Sequence, residues 1–137
     1  MDAFLSKVRL AIDEGRCIID TSKLKNKKTM AALGLRPEDV FEEVSTLTYE
    51  DYMYGPEPDN RSNHKGQDVW FFKKKVDWFM IYIKLEFQLI QGTQTDEELM
   101  VMSFHEDNIK LQLSLICCGI KKLPPNKEVR RWILGFV

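Results

Sequence analysis

Four residues of this chain have the chemical range of a phosphoryl-transfer site: Gln67, Tyr82, Lys84 and His105. Histidine titrates near neutrality and can act as base or acid. Tyrosine can donate a proton or orient a phosphate, lysine supplies charge, and a glutamine amide can hold a substrate. Together these types suit the cleavage of RNA without a metal. A base removes the proton of a 2′-hydroxyl, cations stabilise the crowded phosphorane, and an acid protonates the leaving 5′ oxygen. Arg61 and Lys65 lie just upstream of Gln67 and add charge. A plainer reading stands beside this one. A lone histidine at a strand end is commonly a surface residue, and tyrosine with lysine is ordinary on an exposed strand face.

The elements that must position these residues lie between Gln67 and Asp107. Phe79, Ile81, Ile83, Leu85, Phe87 and Leu89 alternate with Trp78, Met80, Tyr82, Lys84, Glu86 and Gln88. Successive strand side chains point to opposite faces, so the first set predicts a core face and the second a working or solvated one. Residues 67–76, 78–90 and 98–106 are expected to form consecutive antiparallel strands, turning at Asp77 and at the polar stretch from Gln91. By parity His105 lies with Ser103, opposite Met100, Met102 and Phe104, and Gln67 lies opposite Trp70 and Phe72. That parity gathers a glutamine, a tyrosine, a lysine and a histidine on one side of a three-stranded sheet.

Upstream, Phe4, Leu5, Val8, Leu10 and Ile12 form a helical stripe that Gly15 ends. Ile18-Ile19 reads as a short buried extension and Lys23–Lys28 as a solvated basic patch. A brief helix is expected over Thr29–Gly34. Pro37 opens a helix with Val40, Phe41, Val44 and Leu47 inward, and Thr48-Tyr-Glu-Asp51 has the shape of a capping box. Residues 54–66, rich in proline, glycine and asparagine, predict a mobile irregular loop bordering the site. Downstream, Ile109–Leu115 alternates like a further strand, and Asn126 can cap a final helix containing Trp132. That tail is expected to dock on apolar surface or on a second copy of the chain, giving a homodimer.

At 137 residues the chain fits one domain able to bury a core without staples. A net charge of -1 opposes indiscriminate nucleic-acid binding, while the cations between Arg61 and Lys84 fit a small anionic site. Three cysteines, Cys17 and the pair Cys117-Cys118, have no metal-ligand spacing and point to a reducing cytoplasm. The two histidines likewise lack metal spacing, and no apolar run is long enough for a membrane span. No cofactor is implied.

The ordered series Gly34-Leu35, Leu47-Thr-Tyr-Glu-Asp-Tyr52, Tyr54-Gly-Pro-Glu-Pro58, Gln67-Asp-Val-Trp70, Phe72-Lys-Lys74, Ile81-Tyr-Ile-Lys-Leu85 and Met102-Ser-Phe-His-Glu-Asp107 resembles the MqsR family. These are RelE-like toxins of bacterial type II toxin–antitoxin systems. The resemblance covers roughly residues 1–107 and leaves 108–137 as an extension of unknown role. It implies an α+β fold, with N-terminal helices packed on a curved antiparallel sheet. It also implies a metal-independent mRNA interferase that cuts free single-stranded transcripts and is inhibited by a cognate antitoxin. By the same resemblance Gln67, Tyr82 and His105 take the catalytic positions, and Lys84, Arg61, Lys65 and Tyr54 the RNA or phosphate-binding ones. Tyr54 departs from the family, many members having lysine there. The alternative is a non-catalytic protein- or RNA-binding module on the same fold.

Overall fold

The computed structural model describes residues 1–61, 66–90, 92–93 and 96–106. The expected strand at Ile109–Leu115, the terminal helix, the Cys117-Cys118 pair, the tail-mediated dimer and Lys65 all lie outside the described residues. The architecture is α+β. Three helices, α1 (Asp2–Asp13), α2 (Leu24–Leu33) and α3 (Pro37–Ser45), accompany five strands. These are β1 (Cys17–Ile19), β2 (Tyr52–Pro58), β3 (Asp68–Val76), β4 (Phe79–Leu89) and β5 (Glu97–Glu106), in the spatial order β1-β5-β4-β3-β2. None of the described helices is long and apolar enough to cross a membrane.

The alternation in β4 has its expected consequence. Phe79, Ile81, Ile83 and Leu85 are buried, and they join Phe72, Leu99, Val101 and Phe104 in one cluster with Phe4, Val8, Val40 and Val44 from the helices. Burial fades toward the end of β4: Phe87 is half-buried and Leu89 is exposed. In α1 the inward stripe uses Ala11, while Leu10 faces solvent, because positions 4, 8 and 11 share a face that 10 leaves. β3 and β4 are joined by Asp77-Trp78, with Val76 opposite Phe79 and Asp77 at φ 55°. Aspartate tolerates this left-handed conformation better than most residues.

Four expectations need correction. The sheet is mixed rather than wholly antiparallel, because β1 pairs in parallel with β5. Ile18-Ile19 is therefore part of an edge strand, with Ile18 exposed. The basic patch is not a separate solvated loop. It forms the opening turns of α2, which ends at Gly34 in the left-handed conformation, with Leu35 N–H donating to Met30 O at 2.8 Å. Two of the inward positions of α2 are polar, Asn26 and Thr29, and this hides its periodicity from an apolar pattern.

The third correction concerns residues 54–66. Their first part is ordered as β2, the edge strand next to β3, with two register irregularities and a cis Gly55–Pro56 bond. Proline is compatible with an edge. At Gly55 (φ 115°) an added Cβ would stand 2.9 Å from Val69 O, so the close pairing with β3 requires glycine.

The fourth lies in β5. Lys84 pairs with Ser103 and Leu85 with Val101, so Met102 is an extra residue, a β-bulge. Met102 and Met100 consequently pack with Val69, Phe71 and Tyr82 on the face away from the helices. Met102 does not oppose Ser103 as strict alternation would require.

Candidate functional site

The strand registers build the site in rows across the sheet. Lys73, Tyr82 and His105 are Cα partners on β3, β4 and β5. The next row, two residues along, is Phe71, Lys84 and Ser103, with Tyr54 of β2 opposite Phe71. The Tyr82 and His105 rings are 6.0 Å apart between centroids, and the Tyr54 and Tyr82 hydroxyls are 3.0 Å apart. Tyr54 stacks on Phe71 at 4.2 Å, and the Lys84 ammonium lies 5.4 Å from the Phe71 ring and 5.8 Å from that of Tyr82. His105 is buried, with Nδ1 3.2 Å from the Glu106 carbonyl oxygen. An Nδ1–H tautomer donates to that oxygen and leaves the basic lone pair on Nε2.

Three of the four residues singled out at the start thus stand together: Tyr82, Lys84 and His105. Gln67 does not join them. It lies just before β3, six residues from Lys73, the partner of Tyr82, or about 20 Å at the rise of a strand. Parity assigned it a face but ignored distance along the sheet. It lines a separate cavity of about 430 Å³ together with Phe4, Lys7, Trp70 and Phe87.

Arg61 also differs from expectation. Its guanidinium is held by Asp59 at 2.7 Å and by the buried Glu86 at 3.1 Å. Hydrogen bonds from Arg61 hold the Asp59 carboxyl well below the usual range. Burial pushes Glu86 up to about 7, with Asp59 adding and Arg61 opposing. Arg61 therefore ties the segment after β2 to the sheet before it can serve a phosphate. Near it, Lys23, Arg61, Lys84, Phe71 and Met102 line a cavity of about 480 Å³.

Two cations at the site were not singled out from sequence. Lys73 was legible in principle, since the Asp77-Trp78 turn fixes its pairing with Tyr82. Lys23 had no local signal. It reaches the face from the start of α2, and its ammonium donates to Ser103 Oγ at 3.0 Å. Among the described residues no group of three or more His, Cys, Asp or Glu side chains is arranged to hold a metal.

Glu106 follows His105 but lies across from Ile81, on the helix side of the sheet. Neither carboxyl oxygen has a hydrogen-bond partner among the described residues, and burial pushes the group up to about 7 from an ordinary 4.5. Between these values the folded chain retains a proton that the unfolded chain has lost. Stability therefore falls as pH rises from about 4.5 to 7 and levels off above that. Glu106→Gln removes this dependence. It should leave stability unchanged at pH 4 and raise it at pH 8 by roughly 3 kcal/mol at most, the worth of a shift of that size. Urea titrations at the two pH values measure the difference; equal gains at both would refute the assignment.

Comparison with protein-family models, with curated proteins and with solved structures finds no match.

Proposed function

We propose that this protein is a metal-independent endoribonuclease, working on the sheet face that carries Tyr82, Lys84 and His105. The observation that supports this most is the direct cross-strand pairing of Tyr82 with His105, beside Lys84 in the next row. His105 Nε2 takes the proton of a ribose 2′-hydroxyl, and the oxygen attacks the adjacent phosphorus. The O2′–P bond forms as the P–O5′ bond breaks. Tyr82 delivers a proton to the departing 5′ oxygen, assisted by the neighbouring Tyr54 hydroxyl. Lys84 and Lys73 offset the charge that builds on the phosphorane.

The resemblance to MqsR toxins extends the reading. It assigns an RelE-like toxin fold, mRNA as substrate in the cytoplasm, and a cognate antitoxin as the inhibitor. Gln67 then serves at most as a distant substrate contact. Cleavage of an RNA oligonucleotide should persist in EDTA and leave a 2′,3′-cyclic phosphate. Deoxyribose at the scissile position should abolish it, because the nucleophile is gone. A requirement for Mg²⁺ would sink the proposal.

A second reading has its own support. Tyr54 stands where lysine is usual in the family, and Arg61 is engaged by two carboxylates. Both features lower the positive charge available to a transition state. Binding of RNA or a protein without any cleavage would favour a non-catalytic module.

A further inference from the structure

Resting on the ribonuclease reading, we propose that Lys23, steadied by the buried Ser103, and Lys84 form a second phosphate subsite, which holds the phosphate next to the scissile one in single-stranded RNA. Lys84 and Ser103 are cross-strand partners, and Lys23 Nζ lies 3.0 Å from Ser103 Oγ. Lys23 and Lys84 line one cavity, with the Lys84 ammonium 5.4 Å from the Phe71 ring, while the buried Ser103 hydroxyl holds the Lys23 ammonium from beneath. The row of Lys84 and Ser103 lies two residues from the Tyr82–His105 row, about 7 Å at the rise of a strand. That offset is of the order separating successive phosphates in one strand. A chain whose scissile phosphate rests on Tyr82 and His105 brings a neighbouring phosphate to Lys84 and Lys23.

The surroundings favour an anion that is part of a nucleotide. The spot borders the cavity floored by Phe71, on which the exposed Tyr54 stacks. Aromatic faces beside backbone-directed cations are the usual means of gripping a single strand. Three of the carboxylates nearby have partners, while the exposed Glu57 also lines the cavity. Asp59 and Glu86 hold Arg61, and Asp20 accepts from Ser22 N–H at 3.0 Å. Burial lowers the Lys23 pKa, and the Lys84 charge lowers it further. A phosphate between the two ammonium groups relieves that repulsion.

Two measurements test the subsite, and one needs no cleavage. The first is binding of an RNA oligonucleotide carrying deoxyribose at the scissile position, followed against salt. Lys23→Ala should shallow the slope of log K against log salt by about 0.7, the counterion release of one single-strand phosphate contact. Lys23→Arg should restore it. The second is kcat/KM on oligonucleotides whose phosphate next to the scissile one is native or a neutral methylphosphonate. The native chain should lose about tenfold on neutralisation and Lys23→Ala very little, since its contact is already gone.

An unchanged salt slope, or a Lys23→Ala penalty equal on the two substrates, overturns the subsite even if RNA is cut. A shallower slope restored by arginine, in a protein that cuts nothing, supports the subsite and removes the ribonuclease reading. Absence of any RNA binding overturns both.

Discussion

His105→Ala should lower the rate of RNA cleavage by about 10² to 10⁴, the usual worth of a general acid or base. The reasoning is geometric. His105 shares its row with Tyr82, and with Nδ1–H donating to the nearby Glu106 carbonyl oxygen the basic nitrogen is Nε2. No other described histidine lies on this face. Tyr82→Phe should lose a comparable factor if its hydroxyl transfers the proton, and less if it only orients the phosphate. Tyr54→Phe separates the two roles further, because it removes the hydroxyl partner of Tyr82 while keeping the stack on Phe71. Gln67→Ala should have a small effect on the chemical step, given its distance. Single-turnover kinetics on a defined oligonucleotide measure all four. Full activity in His105→Ala would remove the histidine from the mechanism, and a loss in Gln67→Ala matching that of His105→Ala would contradict the geometry.

The β3–β4–β5 unit was legible because one face is buried: a strand with period-two alternation has only one register that hides Ile81, Ile83 and Leu85 together. Tyr82 and Lys84 follow from the same parity. β1 escaped because it is three residues long and its partner lies some eighty residues away, so no local pattern announces the pairing. β2 escaped because glycine and proline read as loop, although an edge strand tolerates both. The bulge at Met102 left no trace either. Met100, Met102 and Phe104 look like one regular apolar face, yet the chain divides them between two. His105 was assigned to the correct face, but its company there depends on a backbone irregularity. Lys23 became visible only when α2 was seen docked on β5, and Gln67 was misplaced because parity says nothing of distance.

That bulge rests on one side chain, and Asn26→Ala should show it with a stability loss of about 4 kcal/mol. β1 stops pairing with β5 at Val101, whose carbonyl still accepts from Asp20 N–H at 3.0 Å. Beyond that point Asn26 substitutes for a strand. Its amide nitrogen donates to Met102 O at 3.1 Å and to Asp20 O at 2.9 Å, and its oxygen accepts from Phe104 N–H at 3.0 Å. The side chain is fully buried, so water does not replace it easily. Alanine leaves three backbone groups without that partner, at about 1–3 kcal/mol for each one left unsatisfied. Leucine, which keeps the branched outline but none of the hydrogen bonds, should fare no better, which shows that filling the space is not enough. Urea unfolding at neutral pH reads the effect, and a loss below about 1 kcal/mol in both variants would refute the clamp. The clamp also has a catalytic consequence. Without it, the extra residue at Met102 can slip, and a slip of one residue sends His105 to the helix side of the sheet. Cleavage by Asn26→Ala should therefore fall further than its unfolded fraction accounts for, when assayed where most of the variant is folded. Activity that tracks only the folded fraction would mean that Asn26 stabilises the fold without holding His105 in place.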